Sequence, residues 1–147
     1  MFNPSQQQVR EFFCATYAKQ RAHNILTPLE TIAGQWIDMH TEYHGDLSSI
    51  ETALLAQYPP EGGKTNPFLH LSMHLSIAEQ VSIDQPPGIK MIFDNLCIKR
   101  GNAHDASHDM MDCLGEMLWT AQRNQSAPDG QVYVDCLRKK LGKCLKG

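Results

Sequence analysis

Residues 103–123 read AHDASHDMMDCLGEMLWTAQR. Met110, Cys113, Leu114, Met117, Leu118 and Ala121 recur at intervals of three and four, the period at which an α-helix returns a side chain to one face. A half-buried strand would need an interval of two. The stretch follows Gly101, a residue type that ends helices, so a new amphipathic helix over 103–123 is the reading from which the rest proceeds.

The same period appears upstream, in Val9, Phe12, Phe13 and Tyr17 and again in Leu29, Ile32, Ala33, Trp36 and Ile37. A recurrent start signal, a capping residue followed by proline, punctuates the chain. Asn3-Pro4 opens one helix, and Thr27-Pro28-Leu29-Glu30 opens a second with the spacing of a capping box. Asn66-Pro67 opens a third, Gln85-Pro86-Pro87-Gly88 separates it from a fourth beginning near Ile89, and Asp129 caps the last. No hairpin dipeptide lies between alternating β-branched runs. The pattern predicts an all-α fold: a single-domain helical bundle, residues 1–147, of about six main helices with short connections. They fall near 4–22, 28–42, 67–82, 88–100, 103–123 and 129–145, with a shorter one near 48–57.

With 147 residues, 41% of them hydrophobic and 20% charged, the chain can bury a core without disulfides or an obligatory metal. Residues 1–20 lack an apolar run behind a basic patch, and no stretch of about 18 apolar residues occurs. A cytoplasmic protein with no membrane partner is expected. Five cysteines, an odd number without a C-x-x-C pair, are expected to be small buried hydrophobes in a reducing compartment. The net charge of −3 is uneven, because five of the 13 basic residues (Arg138, Lys139, Lys140, Lys143 and Lys146) sit in the basic C-terminal helix 129–145. The remainder, at about −8, is a poor nucleic-acid surface, and the terminal cations complement the dipole of that helix.

Six of the seven histidines come in pairs four apart: His40 and His44, His70 and His74, His104 and His108. On a helix such residues stack on one face, so two imidazoles can converge on one point. At 100° per residue, His70 and His74 share an arc with Ile77, Ala78 and Val81, opposite Ser72, Ser76, Glu79 and Gln80. Buried imidazoles need partners. His104 and His108 fall at the margin of the apolar stripe of 103–123, with Asp105, Asp112 and Glu116 beside them. His40 and His44 follow Trp36 near a helix end, where the dipole alone favours histidine.

These positions predict a divalent metal site, with His70 and His74 as ligands and His104, His108 and Asp105 completing it. Imidazole and carboxylate without thiolate suit zinc, iron or nickel. An open position would allow hydrolysis through a metal-bound water, whereas a closed set would be structural. The sequence selects neither, so no catalytic residue is assigned. The competing expectation is a non-enzymatic protein-interaction module or homodimer without metal, in which methionines such as Met73, Met91 and Met117 form the contact surface and the histidines do not meet.

Other signatures fail. Gly62-Gly63-Lys64-Thr65 lacks the leading glycine of a phosphate loop, and no H-E-x-x-H or Glu-x-x-His motif is present. His104-Asp105 repeats the dipeptide of HD-type phosphohydrolases, with His70 or His74 and Asp112 or Asp135 for the other slots, but a dipeptide recurs easily by chance. Longer stretches carry more: MFNPS at 1–5, NPFLHLSMH at 66–74, SIDQPPGI at 82–89 and DCLGEMLWTAQR at 112–123. In these the chain resembles an uncharacterised proteobacterial family, domain of unknown function 1841, over nearly its whole length. The resemblance implies a small, single-domain, cytoplasmic helical protein and brings no activity, cofactor or site residue.

Overall fold

The computed structural model describes residues 5–59, 62–63 and 65–142, and every regular element among them is helical. The first helix, α1 (Gln6–Arg21), is held at its start by Ser5: the Gln8 N–H donates to the Ser5 hydroxyl, and the Gln8 side chain accepts from the Ser5 N–H. Thr27 and Glu30 make the same reciprocal box at α2 (Pro28–Asp38), as their spacing predicts. The expected start at Asn3-Pro4 lies outside the described residues.

A 3-10 turn (Thr41–Tyr43) and two short helices, α3 (His44–Leu47) and α4 (Ile50–Leu55), follow. Of these, α4 falls where the short helix near 48–57 is expected, and the turn and α3 precede it. Next come α5 (Pro67–Ile83), α6 (Ile89–Arg100), α7 (Ala103–Arg123) and α8 (Gly130–Leu141). Asn66 Oδ1 accepts from the N–H groups of Phe68 and Leu69 at the head of α5, and Asp129 accepts from Gln131 at the head of α8. Gly101 stops α6 at φ 86°, a left-handed conformation that glycine adopts without a Cβ penalty. No helix among the described residues is long and apolar enough to cross a membrane.

The chain forms two compact units, residues 1–75 and 76–147, with the division inside α5. In the first, α1 packs on α2, α3 and α4 around Phe13, Tyr17, Trp36, Ile37, Leu47, Phe68 and Leu71. Buried Arg10 ties this core together. Its Nη1 donates to the carbonyls of Ala53 (2.6 Å) and Ala56 (2.7 Å), which α4 leaves unpaired at its C-terminus, and its guanidinium lies over the rings of Tyr58 and Phe68. Leu29, expected on the apolar face of α2, is 48% exposed.

In the second unit α6, α7 and α8 pack pairwise, burying Ile89, Leu96, Met110, Leu114, Tyr133 and Leu137. Met110 and Met111 are buried here and fill space between helices, whereas Met91 is 71% exposed. Leu118, expected on the apolar face of α7, is largely exposed. Tyr133 donates its hydroxyl proton to Gln80 at 2.7 Å, and burial pushes its ionisation upward. The cysteines depart from expectation: Cys113 and Cys136 form a disulfide between α7 and α8, their Cα atoms 5.6 Å apart, while Cys14 and Cys97 are free. Two cysteines 23 apart become neighbours only through the packing of two helices, which spacing alone does not reveal.

Candidate metal centre

The helical period of α5 places His70 and His74 one turn apart, and their Nε2 atoms lie 3.2 Å from each other. Phe68, Leu71 and Ile77 bury the same helix, leaving His74 fully enclosed and His70 half-buried. The Trp36 ring stacks on His74 at 4.1 Å with an interplanar angle of 10°, which fixes the plane of that imidazole.

The third member is His40, whose Nε2 lies 3.2 Å from that of His70. Sequence reasoning missed it. The helix expected over 28–42 ends at Asp38, and His40 leaves the helical path at φ −123°, ψ 63°. Its direction is therefore set by a hydrogen bond rather than by helical spacing: His40 Nδ1 contacts the Trp36 carbonyl at 2.7 Å. His44 Nε2 contacts the next carbonyl, Ile37, at 2.9 Å. Both rings satisfy last-turn carbonyls of α2, so the helix-end reading holds for His44 and is incomplete for His40.

The tautomer of His40 follows from this bond. A carbonyl only accepts, so Nδ1 carries the proton and Nε2 presents a bare lone pair toward His70. With neutral rings, a proton on His70 Nε2 can point at His40, at His74 or between the two, so the three Nε2 atoms share few protons. A tetrahedral ion fits the same spacing, since two nitrogens about 2.05 Å from it lie about 3.3 Å apart. The His40 arrangement also matches the pattern in which a metal-bound histidine donates its other N–H to a backbone carbonyl. Tyr43 stacks on His40 and meets His70 edge-on. Burial first, then Glu42 and Asp46, holds its phenol ionisation above the ordinary value.

In the second unit, His104 and His108 occupy the first two turns of α7, both half-buried, their ring centroids 4.5 Å apart. Asp105 is exposed, and its carboxylate receives the Asn102 side-chain amide at 2.9 Å while Asn102 caps the helix. Asp112 pairs with Lys140, and Asp135 accepts from the Gln131 side chain. The buried carboxylate of this unit is one the sequence did not single out. Asp109 takes two bonds from Arg100, at 2.7 and 2.8 Å, and that guanidinium holds its pKa below the usual carboxylate value. It is a structural ion pair between α6 and α7. His23, the unpaired histidine, is exposed at φ 58° in the turn after α1.

A family model described as a domain of unknown function, DUF1841, matches residues 5–139. The chain belongs to that family. The DUF1841 match spans His40, His70, His74, His104 and His108, so every histidine of the clusters above lies within the family domain. No curated protein and no solved structure matches the chain.

Proposed function

We propose that this DUF1841 protein binds one divalent metal ion through His40, His70 and His74. One observation carries the reading: the Nε2 atoms of three imidazoles stand in successive 3.2 Å contacts, about the separation of two nitrogens on one tetrahedral ion. An imidazole donor set suits zinc, nickel or iron. In this proposal Asp105 is a hydrogen-bonding neighbour of the helical pair and not a ligand, because its carboxylate engages Asn102. The competing reading, a metal-free interaction module or homodimer, expects histidines that do not meet; the convergence of His40, His70 and His74 weighs against it.

Elemental analysis of untagged protein purified without chelator tests the proposal. About one divalent ion per chain is expected, and less than about 0.1, with no thermal shift on adding zinc, nickel or iron, overturns it. Trp36 is a built-in reporter, since its indole stacks on His74. Copper or nickel should quench its emission, and the quenching should disappear in a His70→Ala, His74→Ala double variant.

A further inference from the structure

We infer that two copies of this chain pair antiparallel through a groove along the outer side of α1. The groove holds about 880 Å³, with Leu47, Ser48 and Ile50 forming its far wall. Leu54, one turn beyond Ile50 on α4, is 38% exposed and continues the apolar side. On α1 itself Glu11, Ala15, Ala18 and Ala22 are exposed and fall within an arc of about 60°, with Arg21 about 60° to one side. The alanines keep the floor low, so a second helix can come close.

Charge decides the occupant. Glu11 stands near one end of the groove and Arg21 near the other, ten residues or about 15 Å along the helix. Both are exposed, and neither belongs to an ion pair among the described residues. Their side-chain partners are neutral: Glu11 accepts from the Gln7 amide at 3.2 Å, and Arg21 donates to the Tyr17 hydroxyl at 3.1 Å. A twofold axis near Thr16, between Ala15 and Ala18, reverses one copy against the other and turns Arg21 of each toward Glu11 of the other. One residue pair thus gives two opposite-charge contacts, whereas a parallel copy would set like against like. A small molecule fits less well, because a floor this exposed does not enclose it as small-molecule sites do. The contact uses neither the histidine cluster nor the methionines, and it stands or falls apart from the metal. Since α1 has 16 residues and is about 24 Å long, the interface is small and the dimer weak, with a dissociation constant of about 10–100 μM.

Sedimentation equilibrium of the full chain in chelator and low salt, from about 5 to 500 μM, tests the pairing. The weight-average mass should rise from the 16.5 kDa of the monomer toward twice that value. Glu11→Arg should raise the dissociation constant at least about tenfold, because it sets like charges together twice. The charge swap, Glu11→Arg with Arg21→Glu, should return it to within about threefold of wild type. Ala18→Arg, which fills the floor from an exposed position, should weaken pairing independently of the swap; far-UV circular dichroism checks that each variant keeps its helices. A chain that stays monomeric throughout overturns the proposal. So does self-association that Glu11→Arg and Ala18→Arg leave unchanged, or a swapped variant that pairs no better than Glu11→Arg alone. None of these outcomes bears on metal uptake.

Discussion

Replacing His74 with leucine separates a metal ligand from a member of a structural hydrogen-bond network, because the two roles predict different signs in different conditions. Leucine has nearly the volume of histidine, so the fully buried position stays filled. The substitution loses the ring stack on Trp36 at 4.1 Å, about 0.5–1.5 kcal/mol for an aromatic pair. It also removes the 3.2 Å contact of His74 Nε2 with His70 Nε2, about 0.5–1.5 kcal/mol for a hydrogen bond, while burying a leucine side chain returns about 1.5–3 kcal/mol in the opposite direction. In chelator, therefore, His74→Leu should lie within about 1 kcal/mol of wild type.

With metal the two proteins should diverge. At a zinc concentration 100 times the dissociation constant, the wild-type protein gains about 2.7 kcal/mol. For a chain of this length that corresponds to roughly 5–10 °C in melting temperature. The variant, short of one nitrogen ligand, should gain little at the same concentration. Differential scanning fluorimetry of both proteins in chelator and in zinc gives all four numbers. If zinc leaves wild type unmoved while the variant loses 2 kcal/mol or more in chelator, the cluster is a proton-sharing structural network and the ligand argument fails.

Other sites make independent predictions. Arg10→Met keeps an aliphatic stem but strips two charged donors from the Ala53 and Ala56 carbonyls; at about 1.5–3 kcal/mol for each such bond, partly offset by the cation no longer needing burial, a net loss of about 3 kcal/mol is expected in urea unfolding. Gly101→Ala meets open space at its Cβ but must hold φ 86°, so urea unfolding should register about 1 kcal/mol lost through the backbone alone. The Asp109 pKa is depressed, chiefly by its Arg100 hydrogen bonds, so its stabilisation is present above the unfolded value of about 3.9 and disappears as pH falls through the lower folded value. Glu30, depressed chiefly by its Lys19 hydrogen bond, acts with the same sign. Melting temperature should therefore drop as pH falls below about 4, and Asp109→Asn should flatten that part of the profile; an unchanged slope would count against the pairing.

Legibility from sequence followed local physics. Thr27 with Glu30, Asn66 and Asp129 act through residues two or three away, so spacing alone located these helix starts. The period of α5 likewise put His70 and His74 on an apolar face. What spacing missed depends on chain segments that meet only after folding. The Cys113–Cys136 disulfide and the Arg100–Asp109 pair each join two helices. Leu118 has the right period for the core of α7 and is nonetheless largely exposed, because period gives direction around a helix and does not say how far a neighbouring helix reaches.

His40 shows why one of the three histidine pairs was misread while the other two lie on single helices as expected. The spacing of His40 and His44 coincides with the helical one, yet α2 ends at Asp38 and the two rings lie on different elements. Imidazoles reach the last-turn carbonyls of Trp36 and Ile37, the second of which also accepts the His40 N–H at 3.0 Å. For His40 the same bond that finishes the helix also puts the proton on Nδ1 and turns the bare Nε2 toward His70. Helix termination and ligand orientation are thus one interaction. Replacing His40 by aspartate or cysteine would offer a metal another donor atom but would remove the N–H that the Trp36 carbonyl receives. Only a side chain with a donor at one end of a rigid ring and an acceptor at the other does both, which is a physical reason for histidine at this position.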